Sequence, residues 1–396
     1  MLPNLLKSLL LLSLVTGIGI DIHAQTRHDF TMLVDDKLRE YIVVKPSGAA
    51  PDGGYPVVFM FHGTSGTGEV FYSISGWKEK GQQEKFITVF PTSLTYCILN
   101  FPNNNPAFLT RWVTGDLLND KCPNLNQDFK DDVKFVRRIV DTLKTKFVVN
   151  PNKVFAAGFS NGCSFTHKLA LEASDVFSAC AGVGAILFPT DSLRAARSIP
   201  FWNIIGTADD RFTTPAGVST LPFNDSLLLY MNLYINRTTK CLDLRNEYIK
   251  TSTQNSITYS YTKPSAGSHR GKFQLTFVKN MPHIYPNSVN FPFSATNFFW
   301  DFFNESTLSK TVDGQFEKFK TTISPNPAND DISITSNAEI NTISVYSING
   351  QLIRQFDNIK SNSKSIDVEN MPQGLYIFQI KTEWGVKTSN VLINHH

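Results

Sequence analysis

The chain has 396 residues, of which 41% are hydrophobic and 18% are charged, and its formal net charge is +3. A chain of this length can bury a large core and is expected to form more than one domain. Its charge is nearly balanced and it has no long basic run, which argues against nucleic acid as a partner.

Residues 1–24 are predicted to be a secretory signal peptide. Lys7 supplies a short positive region, the apolar run SLLLLSLVTGIGI spans Ser8–Ile20, and Ala24 is a small residue before the expected cleavage site. The run has about 13 residues, short of the roughly 20 that span a bilayer, so removal is preferred over membrane anchorage. No later segment is apolar enough to predict a membrane span in the mature chain.

The cysteines match no metal-ligand spacing, and neither a metal nor a cofactor is expected. An exported protein permits disulfides, and Cys97 and Cys122 bracket an irregular Asn- and Pro-rich stretch that a disulfide would staple. Cys163 is expected to be a small core residue. With Cys180 and Cys241 the count is odd, so at least one thiol stays unpaired within the chain, and no pairing follows from the sequence.

Residues 25–305 predict an α/β domain. A hairpin, DFTMLVDDKLREYIVVKP, is followed by the apolar strands YPVVFMFHG, EKFITVFP, NPNKVFAAG, VFSACAGVG, IPFWNIIG and GKFQLTFVKN. Helices are predicted at DDVKFVRRIVDTL, where the apolar residues form one stripe, and at NGCSFTHKLALEA, DSLLLYMNLYINR and ATNFFWDFFN. This alternation predicts a mostly parallel sheet with helices on both faces.

A polar linker is predicted over residues 306–319 and a small all-β sandwich over residues 320–396. The predicted strands there are DISIT, TISVYS, QLIRQF, KSIDV, LYIFQIK and VKTSNVLIN. Asn-Gly within SINGQ, Ser347–Gln351, predicts a hairpin turn between two of them.

The motif GFSNG lies between a predicted strand and a predicted helix, and it points to nucleophilic catalysis. A serine hydroxyl is a weak nucleophile that needs a base, and a sharp turn exposes Ser160 while requiring small residues at Gly158 and Gly162. The following helix directs its positive dipole end at the site, so the amide of Asn161 is predicted to hold an oxyanion. The alternative is a glycine-rich turn with an incidental serine.

The expected chain order is serine, then an acid, then a histidine. His283 follows the strand FQLTFV and is the predicted base, whereas His269 precedes that strand and is expected to be a solvated loop residue. Asp209 and Asp210 follow the strand FWNIIG, and one of them would orient the histidine and stabilise its imidazolium. Spacing does not choose between them, and the other is expected to be a helix N-cap or turn residue.

The loop FMFHGTSGTG, Phe59–Gly68, is predicted to supply the second oxyanion donor. Its His-Gly turn lets the backbone pass close to the serine, and an amide near Thr64 is the candidate donor. His62 is expected to hold this loop rather than to transfer a proton.

With these residues in place, the first domain resembles a known esterase family. The segments FMFHGTSG, DDVKFVRRIVDTL, NPNKVFAAGFSNG, IIGTADDRF, MPHIYP and ATNFFWDFF are similar to carbohydrate esterase family 1, with its polyhydroxybutyrate depolymerases, feruloyl esterases and acetylxylan esterases. The resemblance covers about residues 30–305, implies an α/β-hydrolase fold, and places the acid at Asp209. The family usually has glycine where Cys163 stands, and Leu94–Pro123 matches poorly, so that segment is expected to shape the substrate pocket.

The tail resembles the C-terminal sorting domain of the type IX secretion system. The matching segments, ISPNPANDDISI, ISVYSINGQLIRQF and MPQGLYIFQIKTEWGVKTSNVLIN, cover nearly all of residues 320–396. The resemblance implies a Bacteroidetes-like host, export across both membranes with the secretion machinery as partner, and removal of the tail at or beyond the surface. The alternative is a carbohydrate-binding β-sandwich, against which the lack of an obvious aromatic platform argues.

These observations predict a secreted or cell-surface serine esterase that forms an acyl-enzyme. The predicted substrates are feruloyl or acetyl esters on plant polysaccharide, because Asn161 is more typical of that branch than of the polymer depolymerases. A polyester such as polyhydroxybutyrate is the alternative, and a peptidase or thioesterase on the same fold stays open. A non-catalytic surface-binding protein is the alternative from another class, against which the ordered Ser, Asp and His argue.

Overall fold

The computed structural model describes residues 25–100, 105–191, 193–267, 271–307, 321–348, 351–382 and 385–395. The predicted signal peptide and His269 lie outside these ranges. Of the predicted linker, only residues 306 and 307 are described, and they belong to the last helix. No helix in the described ranges is both long and apolar enough to cross a membrane.

The strands and helices follow the chain order that the sequence predicts, with several additions. The strands are β1 (Thr26–Val34), β2 (Lys37–Lys45), β3 (Tyr55–Phe61), β4 (Ile87–Pro91), β5 (Thr95–Asn100), β6 (Asn105–Thr110), β7 (Val149–Phe159), β8 (Ala179–Val183), β9 (Phe201–Gly206), β10 (Glu247–Ser252), β11 (Ser256–Tyr261), β12 (Phe273–Val278), β13 (Thr321–Ser324), β14 (Asp331–Ser347), β15 (Leu352–Asp367), β16 (Gly374–Thr382) and β17 (Gly385–Ile393). The helices are α1 (Gly68–Ile74), α2 (Trp77–Glu84), α3 (Leu117–Asp120), α4 (Asp132–Lys146), α5 (Asn161–Glu172), α6 (Asp210–Ala216), α7 (Leu227–Tyr230), α8 (Asn232–Cys241) and α9 (Ala295–Thr307), with a short 3₁₀ turn at Pro189–Asp191.

The central sheet of the first domain has the order β1-β2-β4-β3-β7-β8-β9-β12. The hairpin β1–β2 joins β4 antiparallel, and from β4 to β12 every pair is parallel. This is the α/β-hydrolase fold, so the predicted fold class is confirmed. Strands β10 and β11 extend the sheet antiparallel beyond β12. The sequence analysis missed both because their mixed polar composition lacks the apolar run of a central strand.

Helices cover both faces of this sheet, as its apolar strands predict. Every residue of β3 is buried, and its side chains alternate between two cores. Phe59 packs in the core that α4 and α5 cover, whereas Met60 packs in the core that α2 and α9 cover. A parallel strand with both faces buried needs a continuous apolar run, which explains the sequence of this segment.

The helix predicted at DSLLLYMNLYINR is two helices, α7 and α8, which meet at Met231. Met231 has φ −102° and ψ 4°, outside the regular helical range. Several apolar residues follow one another here, so the pattern has no helical period that would locate the break.

The tail is an antiparallel β-rich domain, as predicted, but its strands are fewer and longer. DISIT and TISVYS belong to the single strand β14, and QLIRQF and KSIDV belong to β15. The register of the β14–β15 pair shifts between Thr335 and Ile340, and such irregularities bend a strand without ending it. Both halves of β14 contribute to one apolar core.

A buried polar network joins α5, β9 and α8 beneath the carboxyl ends of the strands. The ring of His167 donates from Nδ1 to the Cys163 carbonyl, at 2.9 Å, and accepts at Nε2 from the Tyr234 hydroxyl, at 2.8 Å. The Asn203 amide donates to the same hydroxyl at 2.8 Å. Burial lowers the pKa of His167 to about 3, so the imidazole is neutral and the network fixes α8 against the sheet.

We expect His167 to make the protein lose stability in acid. The unfolded chain protonates this histidine below pH 6.5 while the folded chain does not until about pH 3, so stability falls as the pH falls between these values. From neutral pH to about pH 5, His167 alone should cost about 2 kcal/mol of unfolding free energy. Urea unfolding of His167→Gln at both pH values should show an acid loss smaller by about that amount.

Asn203→Ala is the matched control for this measurement, because it breaks the same network and leaves the imidazole in place. It should lower stability at both pH values while keeping the wild-type acid loss. An equal acid loss in wild type and His167→Gln would contradict the assignment.

Candidate active site

Ser160 lies at the corner between β7 and α5 with φ 51° and ψ −124°, a backbone conformation rare for a residue with a side chain. Its amide donates to the Val183 carbonyl at 2.8 Å. A Cβ on Gly158 would lie 2.2 Å from the Gly162 carbonyl oxygen, and one on Gly162 would lie 2.3 Å from that of Phe61. Both glycines that the motif predicts are therefore required by close backbone approach.

The structure brings Ser160, His283 and Asp209 together in one hydrogen-bonded chain. His283 Nε2 is 2.9 Å from Ser160 Oγ, and His283 Nδ1 is 2.9 Å and 3.0 Å from the Asp209 carboxylate oxygens. Asp209 is only 1% exposed. Because the carboxylate accepts a hydrogen bond from Nδ1–H, the proton stays on Nδ1 and the lone pair of Nε2 is free to accept the serine proton.

Asp209 is also the N-cap of α6, where its Oδ1 accepts from the Arg211 amide at 2.9 Å. The expectation that the cap would be the aspartate that does not contact histidine is therefore wrong. A carboxylate has acceptor sites for both contacts, and the cap orients the group toward His283. Asp210 is exposed, 3.7 Å from Arg211 Nε.

Asp209, Asp210 and His283 each bring one potential metal ligand within 4.8 Å of the others. Two of these atoms already share the hydrogen bond between histidine and carboxylate, and the third lies on an exposed side chain. The arrangement therefore fits a histidine held by an acid better than a metal centre.

Two further glycines, which the sequence analysis did not identify, make room for the histidine loop. A Cβ on Gly184 would lie 3.1 Å from His283 Cε1 and 3.4 Å from Asp209 Oδ2, and one on Gly206 would lie 1.9 Å from the Met281 carbonyl oxygen. The sequence signal was a glycine at the end of β9 and another directly after β8.

The two predicted oxyanion donors, Thr64 and Asn161, line the same cavity as Ser160 and His283. A Cβ on Gly63 would lie 3.1 Å from Ser160 Cβ, so the loop after β3 passes close to the serine. Asn161 is the first residue of α5, where backbone N–H groups have no partner within the helix. Both amides remain candidates for the oxyanion hole.

His62 has the contacts of a residue that holds this loop. It is fully buried, its Nδ1 donates to the Gly63 carbonyl at 2.7 Å, and its Nε2 accepts from the Ser93 amide at 3.0 Å. Burial lowers its pKa to about 4, so the ring is neutral near pH 7.

The side chain of Asn161 has contacts that the sequence analysis did not foresee. Its Oδ1 accepts from the Trp112 amide at 2.7 Å, and its Nδ2 donates to the Trp112 carbonyl at 3.2 Å and to Thr114 Oγ1 at 3.0 Å. The Trp112 indole donates to the His62 carbonyl at 2.9 Å. Asn161 therefore fixes the segment that leads out of the hairpin β5–β6.

This hairpin was missed as secondary structure. A disulfide links its Cys97 to Cys122, which follows α3. The candidate pairing is thus confirmed. The other three cysteines, Cys163, Cys180 and Cys241, are free and buried. Cys163 is a core residue, as expected, and its Sγ lies 2.3 Å from where a Cβ on Gly182 would be. A disulfide of this span stabilises by about 3–4 kcal/mol in the chain-entropy model.

The cavity in front of Ser160 has a volume of about 920 Å³. The segment 94–123, which was expected to shape the pocket, contributes Ile98, Leu99, Arg111, Asp116 and Asp120 to its lining. The opposite side is formed mainly by residues of the segment 184–189 and of helices α6 to α8.

Comparison with known proteins finds that this chain is similar to esterases. Residues 37–221 match the family model described as “Putative esterase”. Poly(3-hydroxyalkanoate) depolymerase C of Paucimonas lemoignei is 26% identical over 138 residues, 35% of this chain and 29% of the relative. Bifunctional acetylxylan esterase/xylanase XynS20E of Neocallimastix patriciarum is 25% identical over 175 residues, 43% of this chain and 22% of the relative. Feruloyl esterase B of Piromyces equi is 25% identical over 186 residues, 46% of this chain and 31% of the relative.

The chain spans about half or less of the length of the curated relatives it matches, from 22% to 51%. Residues 322–394 match the family model described as “Secretion system C-terminal sorting domain”, which indicates export to the cell surface or the medium. The chain therefore combines a match to an esterase family model at residues 37–221 with a match to a secretion system C-terminal sorting domain at residues 322–394.

Proposed function

We propose that this protein is a secreted serine carboxylic-ester hydrolase in which Ser160, His283 and Asp209 form the catalytic triad. The observation that carries the proposal is the continuous hydrogen-bond chain from Asp209 through His283 to Ser160. It ends in a cavity large enough for an aromatic or oligomeric ester, and the esterase-family match supports it.

In this mechanism Ser160 Oγ attacks the ester carbonyl while its proton moves to His283 Nε2. Asp209 stabilises the imidazolium that forms. The amides of Thr64 and Asn161 donate to the oxyanion, and one such donor accelerates this chemistry by about 10²–10³-fold. His283 then returns the proton to the leaving alcohol, and an acyl-enzyme remains.

A water molecule completes the reaction. His283 Nε2 accepts a proton from this water, which attacks the acyl carbonyl through a second oxyanion. Collapse of the intermediate breaks the bond to Ser160 Oγ and returns the proton to it, so that the free acid leaves and the enzyme is restored.

We place the substrate among feruloyl or acetyl esters of plant polysaccharide. Two relatives are named as an acetylxylan and a feruloyl esterase, and Phe159, Phe188 and Phe212 line the cavity, which suits an aromatic acyl group.

A polyester is the second candidate substrate. One relative is named a poly(3-hydroxyalkanoate) depolymerase. On the cavity lining, Tyr230 and Leu233 are 49% and 77% exposed, an apolar rim that would contact a polymer surface.

Replacing Ser160 by alanine should abolish ester hydrolysis. Initial rates of the purified full-length protein are measured on methyl ferulate, acetylated xylan and polyhydroxybutyrate, and the substrates that are cleaved identify the acyl group. On each of these substrates, the hydrolysis rate of Ser160→Ala should be lower by at least about 10³-fold. Near-identical circular dichroism would show that the variant is folded. A variant that keeps the parental rate would overturn the nucleophile assignment.

The two neighbouring aspartates offer a matched pair. Asp209→Asn removes the acceptor that fixes the His283 tautomer, so kcat should fall by about 10⁴-fold. Asp210→Asn removes an equal charge one residue away and should change kcat less than about twofold. Comparable losses in both variants would show that charge alone, rather than the contact with His283, is responsible.

Asn161→Ala keeps the candidate oxyanion amide and removes the side chain that holds Trp112 and Thr114. We expect kcat/KM for methyl ferulate to fall about tenfold or more, because three hydrogen bonds that fix the cavity wall are lost. Thr166→Ala is the control, since it also removes a buried hydrogen-bonding side chain from α5, here a hydroxyl that donates to the Cys163 carbonyl at 2.7 Å. Equal kcat/KM values in the two variants would leave the Asn161 side chain only a role in stability.

A further inference from the structure

Charged side chains line the cavity in front of Ser160, which is unusual for a pocket that takes a neutral ester. Three are cationic and two are anionic: Arg111, Arg211, Arg237, Asp116 and Asp120. Asp209 adds a negative charge behind the imidazole of His283, to which it is hydrogen bonded.

The three arginines differ in whether a nearby carboxylate balances their positive charge. Arg111 Nη2 lies 2.5 Å and 2.6 Å from carboxylate oxygens of Asp116 and Asp120, so both anions of the lining are engaged there. Arg211 lies 3.7 Å from the carboxylate of Asp210. Arg237 takes part in no ion pair among the described residues, and its Nη1 donates to a neutral acceptor, the Leu187 carbonyl, at 2.9 Å.

Arg237 is held at a defined place relative to the reacting serine. It follows Tyr234 by three residues on α8, so the two side chains share the helix face that lines the cavity. Leu187, which holds it, is three residues after Gly184, the glycine in contact with His283. Three residues span at most about 10 Å, so the Leu187 carbonyl that holds the guanidinium lies no farther than about that from Gly184.

A guanidinium in this position is a binding group for an anion. A partly buried charge without a counter-charge is costly, and the one carbonyl contact uses one of its five N–H donors. A carboxylate matches the remaining donors in shape and charge. Both lining aspartates are engaged by Arg111, so no carboxylate among the described lining residues pairs with Arg237.

We propose that Arg237 binds a carboxylate carried by the ester substrate at a distance from the scissile bond. The preferred substrates are then acid-bearing esters, such as half-esters of dicarboxylic acids or esters of acidic sugars, rather than wholly neutral ones. This inference rests on the proposed esterase function and specifies the substrate class of the same cavity.

The test compares pairs of substrates that differ only in the carboxylate. Nitrophenyl half-esters of dicarboxylic acids, from succinate to sebacate, are set against nitrophenyl esters of monocarboxylic acids of the same chain length, with the full-length protein. We expect kcat/KM to favour the acidic ester by about tenfold or more at one chain length, through KM. Comparing kcat/KM for acetoxybenzoate and acetoxybenzamide tests whether a carboxylate on the alcohol side of the ester is favoured in the same way.

Arg237→Gln should remove this preference, and Arg237→Lys should keep part of it because the charge remains. Arg194→Gln is the matched control, since Arg194 is exposed, pairs with Asp243 at 2.8 Å and is not in the cavity lining. A preference that persists in Arg237→Gln would overturn the assignment.

An experiment on the wild type alone covers the case in which Arg237→Gln does not fold. Free adipate or suberate should inhibit hydrolysis of the neutral ester competitively, and added salt should weaken this inhibition. Absence of inhibition, together with equal rates on both esters of every pair, would show that the cavity has no carboxylate site while the esterase function stands. If no ester of either kind is cleaved, the proposed function itself fails.

Discussion

The hydroxyl of Ser160 reaches the cavity because the backbone at this residue has a positive φ, which costs a residue with a side chain about 1–3 kcal/mol. The surrounding backbone holds it there, through the bond from its amide to Val183 and the contact between Gly158 and Gly162. The same crowding brings the loop after β3 and the first turn of α5 to the serine. The position of each candidate oxyanion donor thus depends on the geometry of this one residue.

Local chain geometry explains which parts of the site the sequence could predict. The elbow is specified by residues close in sequence, so GFSNG between an apolar strand and a helix was sufficient. His283 was predictable because only one end of the sheet carries the serine, and this histidine follows a strand that ends there. Asp209 and Asp210 could not be separated by spacing, because both follow the same strand and only the family resemblance chose between them.

What the sequence did not predict depends on contacts between distant segments. The side chain of Asn161 bonds Trp112, which is 49 residues away, and Gly184 and Gly206 are needed because of the loop that carries His283. At Met231 the apolar residues continue while the helix breaks, and in β14 the residues between DISIT and TISVYS are mostly polar while the strand continues. In each case tertiary packing decides, and periodicity along one segment carries no information about it.

Asn161 connects the turn at Ser160 to the wall of the cavity. Its backbone belongs to the turn that carries Ser160, while its side chain bonds the segment that leads out of the hairpin β5–β6, which lines the cavity. A change in that wall is therefore transmitted over a single residue to the candidate oxyanion hole.

The disulfide between Cys97 and Cys122 makes the cavity wall depend on the redox environment, whereas the hydrogen-bond chain does not. None of Ser160, His283 and Asp209 is a thiol, so the hydrogen-bond chain among them can form in any redox environment. The wall that carries Arg111 and Leu99 is closed by a covalent bond that forms and persists in oxidising compartments. In a reducing environment this wall would lack its covalent link while the contacts among the three residues could still form, so the redox state is expected to affect the shape of the cavity rather than the hydrogen-bond chain.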